Sequence, residues 1–503
     1  NAFVLIGEDG KVRCFTGKIE MGQGIITSLA QQIADELDVT LDTVEMVLGD
    51  TRLCPYDMGT WGSLTTRDFS HSLRAAGAEA RGVLLELAAE QLGTPVSGLG
   101  VKDGMIFEKS DPDKRASYAS LAKGKRIERY LAVKPGVKGP SEFRYVGQSL
   151  LHSDSRMKVT GEALFTGDMR LPGMVYARVL RPPSHGAGLI SVDYSAAQQM
   201  EGVQVVEDGD LVAVLHPSRD IADAAIVRVK GEFSRVETDV DQDTIFKYLL
   251  EAPKEERVVD QEGNLLTGEQ LAGTIVESEF HDGYVSHAPI ETHTALAQYE
   301  NGGITVWAST QSPFGAQESI ARTLGLDLED VRVIAPFVGG GFGGKSPHQQ
   351  AVEAARLSKI TGKPVMVTWT REEEFFYDTF RPAAVVKIRS GMTRSGKMTF
   401  WDYHQYFAGN RGSDTIYAVP HRRTTGYDAE RGKRVHLFNT GAWRAPGNNT
   451  NTFSRESQVD IMAARAGVDP LQFRLDNLED ERMKDVLKAA AGKFGYTPSA
   501  GPG

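Results

Sequence analysis

Apolar and polar residues follow two different periods along this chain, and each change of period predicts a helix or a strand. Short apolar runs that are typical of strands occur at residues 3–6, 12–15, 44–48, 174–180, 211–215, 304–308 and 331–334. Apolar positions at helical spacing predict helices over residues 28–37, 74–92 and 349–355. Strands and helices alternate through most of the chain, which predicts an α+β or α/β multidomain protein.

Proline, glycine and charge divide this pattern into segments. Residues 95–140 form a looser stretch that closes with the Pro/Gly-dense residues 135–140, which predicts a linker or domain boundary. Residues 150–240 are predicted to form a small mixed α/β unit. Residues 253–268 are charged and poor in apolar positions, so we expect an exposed connection there. Strands and helices alternate again from about residue 272 to residue 495.

Composition limits the classes of function. The 503 residues leave room for about three or four domains. The net charge is −11 and no block of Lys and Arg stands out, which argues against nucleic-acid binding. No apolar stretch of about 18 residues exists, so no membrane span is predicted. Cys14 and Cys54 are too few for a metal cage, and they leave open either one disulfide or two buried thiols.

The two ends of the sequence have the character of cut ends. Residue 1 leads directly into a strand-like run, without an initiator Met or a signal peptide. The last residues follow a predicted helix without a closing element. These features predict a processed, split or partial chain, and they leave its location, periplasmic or cytoplasmic, undecided.

The glycine loop at residues 339–344 is the strongest candidate for a ligand site. Five of its six residues are glycine, and it lies between a predicted strand and a predicted helix. Bare backbone N–H groups in such a layout bind anions such as phosphate. The letters also fit the nucleotide-binding pattern G-x-x-x-x-G-K-S/T through Lys345 and Ser346. However, no apolar run ends in a convincing Asp for Mg²⁺, so a phosphate cradle, a P-loop and a structural turn all remain open.

Two further loops precede helix-like segments in the first hundred residues. Gly22, Gln23 and Gly24 open a predicted helix, where free N–H groups attract anions and a Gln amide both donates and accepts. Gly62 and Ser63 lie ahead of the long helix that starts near residue 74. Each loop equally fits an ordinary helix cap, so neither identifies a ligand by itself.

Two polar residues later in the chain are also candidates. Gln311 follows the strand at residues 304–308 and is stiffened by Pro313, so its amide is expected to point into a cleft. Arg444 lies in an apolar turn between glycines, where arginine usually pairs with a phosphate or a carboxylate.

His281, His287 and His293 lie near Glu291 and raise the question of a zinc site. Their spacing is not H-E-x-x-H, and Pro289 interrupts any helix that would align them. Structural histidines and a buried Glu are therefore the prediction.

Seven separated motifs, taken together, are more specific than any single loop. The motifs are Glu20-Met21-Gly22-Gln23-Gly24, Thr60-Trp61-Gly62-Ser63, Asp154 with Lys158-Val159-Thr160-Gly161, His287-Ala288-Pro289-Ile290-Glu291, Thr310-Gln311-Ser312-Pro313, Gly339 to Lys345, and Ala442-Trp443-Arg444. With them the chain resembles the molybdopterin-binding subunit of the xanthine oxidase family of molybdenum hydroxylases. It is most similar to the isoquinoline 1-oxidoreductase β-subunit and to related nicotinate and aldehyde dehydrogenases.

The order of these motifs implies a domain arrangement. The Met-Gly-Gln-Gly loop comes first here, as in the isoquinoline oxidoreductase type, which implies a molybdopterin-binding half-domain moved to residues 1–140. The resemblance then implies an α/β hammerhead domain of the aldehyde oxidase/xanthine dehydrogenase type at residues 141–250. Residues 251–503 correspond to a second molybdopterin-binding domain whose C-terminal remainder is absent.

The resemblance also implies roles for the candidate residues around a molybdenum–pyranopterin cofactor. No protein side chain is expected to bind the metal directly, while Gln311 approaches an oxygen ligand of the molybdenum and is the one residue assigned to catalysis. The cofactor-binding residues implied are Gly22, Gln23, Gly24, Gly62, Ser63, Gln311, Gly341, Phe342, Gly343 and Arg444.

The activity implied is hydroxylation of an aldehyde or N-heteroaromatic carbon with water. Purine-oxidising relatives carry Glu directly after the loop lysine, whereas this chain has Ser346, which argues against xanthine. The reaction needs a glutamate general base, and we find no motif for it before residue 503. The base is therefore expected on a missing segment or on a second chain. The rival functions are a P-loop nucleotide hydrolase and an inactive scaffold with the same fold.

The implied electron path requires other subunits. Two cysteines cannot ligate a 2Fe–2S cluster, so we expect a partner subunit that carries these clusters. Further expected partners are a second molybdopterin-subunit chain with the catalytic Glu and a cytochrome or flavin subunit. The cofactor of such relatives carries an appended nucleotide in some members, cytosine being one choice, which this sequence does not specify.

Overall fold

Strands and helices alternate along the residues that the computed structural model describes, which are 3–124, 131 and 134–498. They form two compact units, each described here by itself. Unit 1 contains Asn1–Pro183, Ala187–Ser234 and Ala288–Phe376. Unit 2 contains Ser184–Gly186, Arg235–His287 and Tyr377–Gly503. Among the described residues, no helix combines the length and the apolar character that crossing a bilayer requires.

The strands are numbered in chain order. They are β1 (Phe3–Ile6), β2 (Val12–Thr16), β3 (Val44–Leu48), β4 (Leu99–Lys102), β5 (Met105–Glu108), β6 (Asp111–Ser117), β7 (Val175–Val179), β8 (Leu189–Asp193), β9 (Gln204–Asp208), β10 (Leu211–His216), β11 (Lys230–Phe233), β12 (Lys254–Glu262), β13 (Thr274–Asp282), β14 (Thr294–Glu300), β15 (Gly303–Ala308), β16 (Val331–Ile334), β17 (Val365–Thr368), β18 (Ala384–Met392), β19 (Met398–Tyr406) and β20 (His421–Ala429).

The α-helices are numbered in the same way. They are α1 (Ile25–Leu37), α2 (Ser70–Leu92), α3 (Tyr118–Ala122), α4 (Ser155–Thr160), α5 (Ser195–Gln198), α6 (Arg219–Ile226), α7 (Ile245–Glu251), α8 (Leu265–Gln270), α9 (Pro313–Leu324), α10 (Gln349–Thr361), α11 (Arg371–Tyr377), α12 (Asn448–Ala466), α13 (Pro470–Asn477) and α14 (Glu481–Phe494). A π-helical turn at Thr65–Phe69 leads directly into α2.

Two parallel strand pairs in unit 1 decide where its loops emerge. Its largest sheet has the order β16-β15-β14-β17-β7-β10-β9, and β15 runs parallel to β16 with Trp307 opposite Ile334. A smaller sheet has the order β1-β2-β3, in which β2 runs parallel to β3 with Thr16 opposite Leu48. Parallel strands end at the same edge of a sheet, so the segments that follow each pair start side by side.

The β1-β2-β3 sheet is stabilised by an apolar core shared with α1 and α2. Cys14, Leu29, Ile33, Leu37 and Leu73 are fully buried there. On α1 the large apolar residues Ile25, Leu29, Ile33 and Leu37 recur at helical spacing and are buried. Burial of these side chains fixes the helix whose first turn follows the predicted Gly22–Gly24 loop.

Both cysteines are buried and free, which selects the second of the two alternatives left open by the sequence. Desolvation by burial raises the pKa of the Cys14 thiol to about 12. Burial also raises the pKa of the Cys54 thiol. Both therefore stay protonated at neutral pH and are poor nucleophiles.

Unit 2 is built on one sheet with the order β12-β20-β19-β18-β13. Trp401 and Tyr403 on β19 are fully buried, and they pack with Val459 and Met462 on α12 and with Phe473 on α13. This core holds α12, the helix that begins directly after the predicted Arg444 turn.

The predicted elements are present, but two predicted connections are wrong. Residues 253–268 contain the strand β12 and the helix α8, and the looser stretch at 95–140 contains the β4-β5-β6 sheet. β12 is an edge strand that pairs with β20 through its backbone, and most of its side chains are exposed. Strand pairing of this kind leaves no apolar alternation in the sequence, so the pattern could not reveal it.

Candidate functional site

Two of the candidate loops leave unit 1 from one sheet edge. The Gln311 loop follows β15, and the glycine loop follows β16, its parallel neighbour. The backbone joins them again further on, because Gln311 N donates to Lys345 O at 2.8 Å. The predicted strand, glycine loop and helix layout is confirmed, since α10 begins at Gln349.

Gln311 links the glycine loop to the loop around Thr60. Its side chain is 2% exposed, so both ends of its amide lie inside the protein. Oε1 accepts a hydrogen bond from Gly343 N at 2.8 Å, and Nε2 donates to Thr60 O at 2.9 Å. Thr60 N in turn donates to Gln311 O at 2.9 Å. An amide nitrogen has two N–H bonds, so Nε2 keeps one that is unused among the described residues.

The first loop of the chain closes this arrangement. Ile19 N donates to Thr60 Oγ1 at 3.0 Å, which joins the first loop to the Thr60 loop. Val338 N donates to Glu20 O at 3.2 Å, which joins the glycine loop to the first loop. Together with the contacts of Gln311, these bonds connect four loops of unit 1 in a closed ring. We call this the loop ring, with residues 18–24, 59–63, 309–312 and 338–345.

The first loop of the ring is shaped by its own side chains. Glu20 is 3% exposed, and its Oε1 accepts from Gly22 N at 2.8 Å and from Gly24 N at 3.0 Å. The Gln23 amide turns back to accept from Met21 N at 2.7 Å. The N–H groups of both glycines are thus used within the protein. Gly22 is nevertheless exposed, with open space where a Cβ would lie, so a ligand can approach its backbone closely.

The glycine loop has a backbone that few other residues could adopt. Phe342 has φ 56° and is 42% exposed, although a non-glycine residue pays a steric cost in this left-handed region. Gly340 and Gly343 have φ 93° and 116°. A Cβ on Gly341 would lie 2.4 Å from Gln311 Oε1. The loop therefore requires glycine at 341, which is buried against Gln311, while Gly340 is partly buried and Phe342 is exposed.

Lys345 does not occupy the position that a P-loop lysine needs. Its side chain is fully buried, and its Nζ donates to Glu291 Oε2 at 2.7 Å. A P-loop lysine must instead reach the phosphates of a nucleotide. The ion pair with Glu291 supports the loop from within the protein.

Gly62 and Ser63 lie in the second loop of the ring, and both are exposed. Their φ angles are 64° and 57°, so two consecutive residues are left-handed just before the helical turn at Thr65–Phe69. For Ser63, which has a Cβ, this conformation is uncommon. The structure places both predicted residues in the loop ring.

Arg444 lies in unit 2, in the turn before α12. It is exposed, has φ 23°, and its guanidinium carbon lies 5.5 Å from the centre of the Trp443 ring. Trp443 Nε1 donates to Ser286 O at 3.0 Å, which fixes the turn within this unit. Arg444 therefore lies in a turn that is fixed by hydrogen bonding, and its side chain is exposed.

His287 and His293 hold backbone loops in place. His287 is 1% exposed and lies between Asp378 Oδ2 at 2.7 Å and Ala442 O at 2.8 Å, both in unit 2. His293 is 2% exposed, and in unit 1 its Nδ1 contacts Glu374 Oε2 at 3.0 Å. Both are structural histidines, as predicted. Within the described residues, no group of three or more His, Cys, Asp and Glu side chains is arranged to hold a metal ion.

The remaining ring nitrogen of His293 contacts the glycine loop. Its Nε2 lies 3.2 Å from Gly344 O. Burial raises the pKa of Glu374, but its hydrogen bonds and charge interaction with His293 outweigh burial and leave the pKa below its usual value. The His293 ring therefore joins Glu374 to the backbone of the glycine loop.

His348 predicts a pH dependence of stability for unit 1. Burial, with a smaller contribution from His293, lowers its pKa from 6.5 to about 4. The unfolded chain therefore binds a proton between these values that the folded chain does not, and stability is lost as pH falls from 6.5 towards 4. We expect His348 to lower the free energy of unfolding by about 2 kcal/mol between pH 7 and pH 5.

Chemical denaturation at these two pH values checks this expectation. His348→Gln should flatten the pH dependence of the unit 1 transition, whereas His71→Gln, at an exposed position on α2, should leave it unchanged. An equal slope in the His348→Gln variant and in the unaltered protein would contradict the assignment.

Comparison with known proteins identifies the family to which this chain belongs. Residues 251–478 and residues 1–154 each match the family described as molybdopterin cofactor-binding domain. The chain is 30% identical to a nicotinate dehydrogenase subunit of Pseudomonas putida, over 99% of this chain and 44% of that protein. It is 26% identical to the β-subunit of isoquinoline 1-oxidoreductase of Brevundimonas diminuta, over 95% of this chain and 70% of that protein. The chain belongs to the xanthine oxidase family of molybdenum hydroxylases, as a molybdopterin-binding subunit.

The fold of this molybdenum hydroxylase subunit agrees with that assignment. Quinoline 2-oxidoreductase from Pseudomonas putida 86 superposes with a TM-score of 0.57 at 23% identity, over 66% of this chain and 50% of that chain. The predicted fold class is thereby confirmed. This chain spans less than half the length of the nicotinate dehydrogenase subunit and half the length of the quinoline oxidoreductase chain.

The loop ring fits the molybdenum–pyranopterin cofactor that the family binds. The glycine-rich backbone at 340–343, with Gly340 partly buried and Phe342 exposed, suits backbone contacts with anionic oxygens, and a Cβ at Gly341 would disrupt it. The Gln311 amide lies directly behind this backbone, since a Cβ on Gly341 would lie 2.4 Å from its Oε1. Sequence reasoning missed Thr60 and Glu20 as the residues that join the loops, although both lie inside motifs quoted for the resemblance.

Proposed function

We propose that this chain is the catalytic, cofactor-binding subunit of an oxidoreductase that hydroxylates an N-heteroaromatic or aldehyde carbon. The observation that carries the proposal is the loop ring, in which three glycine-containing loops and the buried Gln311 amide come together without a charged side chain at the loop surface. The relatives at highest coverage are named for nicotinate and isoquinoline, which favours N-heteroaromatic substrates. Ser346, where purine oxidisers carry Glu, argues against a purine substrate.

The reaction balances with water and an electron acceptor. A substrate C–H and one water give C–OH, two protons and two electrons, and the molybdenum centre supplies the site for this two-electron chemistry when it is bound. The acceptor proposed is a 2Fe–2S partner subunit. The three domains at 1–140, 141–250 and 251–503 are proposed as the arrangement that carries the cofactor.

We assign the chain's own residues as follows. The backbone of Gly341, Phe342 and Gly343 lies against the cofactor, and Gln311 directs its free N–H towards it. Gly62 and Ser63 contact the cofactor from the second loop of the ring. Gln23 does so from the first loop, where Gly22 and Gly24 permit close approach, and Arg444 supplies a bidentate cation for an anionic group.

Two carboxylates, Glu20 within the loop ring and Glu291 beside it, are not assigned as the general base. Glu20 accepts backbone hydrogen bonds on both oxygens, at 2.8 Å from Gly22 N and 3.2 Å from Ile26 N. Glu291, which pairs with Lys345, accepts a second hydrogen bond from Gly339 N at 2.7 Å. Each carboxylate holds the backbone of a loop in place, so we assign it a structural role. The base proposed comes from a further segment or from a second molybdopterin-subunit chain.

Metal analysis of the purified protein with its copurifying subunits tests the proposal most directly. We expect about one molybdenum and one pterin per chain, the pterin being detected by fluorescence after oxidation. Arg444→Ala should lower both contents, because the turn would lose its only cation. Absence of molybdenum and pterin from the unaltered protein would contradict the proposal, and tight Mg-nucleotide binding would favour the P-loop alternative instead.

A substrate screen separates the enzyme from an inactive scaffold. Molybdenum-loaded protein is assayed with N-heteroaromatics and aldehydes and an artificial electron acceptor, and oxygen from ¹⁸O-labelled water is traced into the product. Incorporation of the label is expected with at least one class. Loaded protein that oxidises neither class would identify the scaffold.

A further inference from the structure

We propose that Glu291 is the positioning residue that sets the shape of the glycine loop before the cofactor binds. The proposal rests on the function proposed above, because it concerns how that cofactor is received. Glu291 lies outside the loop, in the segment before β14, and belongs to unit 1 together with the loop.

The carboxylate of Glu291 holds both ends of the loop with one oxygen. Its Oε2 accepts from Gly339 N, at the start of the loop, at 2.7 Å. The same oxygen accepts from Lys345 Nζ, at the end of the loop, at 2.7 Å. These donors lie six positions apart in sequence, so a single atom fixes the span of the turn between them.

Close packing reinforces the position of the loop. Glu291 N donates to Gly339 O at 3.2 Å, so backbone and side chain hold the same residue. A Cβ on Gly339 would lie 2.5 Å from the Cβ of Glu291, which shows that the loop lies directly against this residue. With its two ends fixed, the backbone at 340–344 is held in place, so the loop is ordered on folding and loses little further entropy when the cofactor binds.

The ion pair between Lys345 and Glu291 strengthens this contact, and removal of one partner alone is destabilising. Lys345 is fully buried, so removal of the carboxylate would take this ion pair away from a buried ammonium. Glu291 Oε1 is buried and has no hydrogen-bond partner among the described residues. In Glu291→Gln the amide oxygen can therefore take the place of Oε2, while the NH₂ group takes the place of Oε1 and gains no partner.

A series of variants separates positioning from general stability. Glu291→Ala removes the acceptor, Glu291→Gln keeps an acceptor without the charge, and Glu291→Gln with Lys345→Met restores charge balance. The matched control is Glu353→Gln, which breaks another buried ion pair of unit 1, where Arg181 Nη2 lies 3.0 Å from Glu353 Oε2 on α10. Glu353 makes no hydrogen bond to residues 338–345 among the described residues.

Two readouts are measured on the full chain with its copurifying subunits. The first is molybdenum and pterin per chain, together with the rate of cofactor release into excess chelator. The second is hydrogen exchange of the peptide over residues 336–348 in protein expressed without molybdenum, which reports loop order without any cofactor. The midpoint of thermal unfolding is recorded for each variant.

We expect Glu291→Ala to lower molybdenum content by at least about fivefold and to speed exchange of Gly339, Gly343 and Gly344 selectively. The double variant should recover at least half of the loss seen in Glu291→Gln. Glu353→Gln should lower the unfolding midpoint without either loop effect.

Full molybdenum in Glu291→Ala, or equal loop exchange in Glu291→Ala and Glu353→Gln at equal midpoints, would overturn the inference. Absence of molybdenum from the unaltered protein would instead overturn the proposed function, since the exchange readout needs no cofactor.

Discussion

Replacement of Gly341 by alanine is expected to lower the molybdenum content of the purified protein by about tenfold or more. The new Cβ would lie 2.4 Å from Oε1 of Gln311 and 2.9 Å from its Cδ, distances that real side chains do not tolerate. The Gln311 amide must move, and it then loses its hydrogen bond to Gly343 N. The loop and the amide that we assign to cofactor binding are displaced together.

Gly167→Ala is the matched control for this prediction. Gly167 lies in the same unit, its φ is not in the left-handed region, and nothing lies within 4 Å of the Cβ it would gain. The control should retain molybdenum and melt at the temperature of the unaltered protein. If Gly341→Ala keeps its molybdenum as well as the control does, the glycine loop is not the cradle that we propose.

Sequence patterns predicted those parts of the site in which a few adjacent residues determine the backbone conformation. Glycines at 339–344 are visible because a backbone that must be bare or left-handed selects for them. The cap at Gly22–Gly24 and the left-handed pair Gly62 and Ser63 are visible for the same reason. In each case a few adjacent residues carry the whole signal.

The contacts that assemble those loops could not be predicted in this way. The bond from Gln311 Nε2 to Thr60 O spans 251 positions in sequence, and its acceptor is a backbone carbonyl that any residue would provide. Glu374 reaches His293 across 81 positions, from a helix whose acidic residues are otherwise typical of a solvated surface. Such pairs depend on strand order and register, which apolar periodicity does not specify.

The same dependence on neighbouring strands explains the parts of the fold that the sequence pattern did not predict. The edge strand β12 is held by its backbone bonds to β20, so its charged side chains can face solvent. The short strands β4 to β6 contain Gly100 and Pro112, which locally read as loop residues. A sheet edge and a small sheet are stabilised by their neighbours more than by their own composition.

Replacement of Gln311 by alanine is expected to lower the turnover per bound molybdenum by about 100-fold, the effect of removing one preorganised donor from an active site. The amide is buried and held at both ends, by Gly343 N at 2.8 Å and by Thr60 O at 2.9 Å, so it needs no reorganisation when a ligand binds. Gln311→Glu keeps the acceptor for Gly343 N but loses the donor, and we expect it to be as slow as Gln311→Ala.

Gln317→Ala is the matched control, because the Gln317 amide on α9 also bridges backbone carbonyls, at 3.0 Å to Leu328 O and 2.8 Å to Val331 O, outside the loop ring. Turnover divided by molybdenum content separates a role towards the cofactor from a role in holding the loops, because a purely structural residue would lower the content and leave this ratio unchanged. An unchanged ratio in Gln311→Ala would show that its amide joins the loops of the ring and does not act on the bound group.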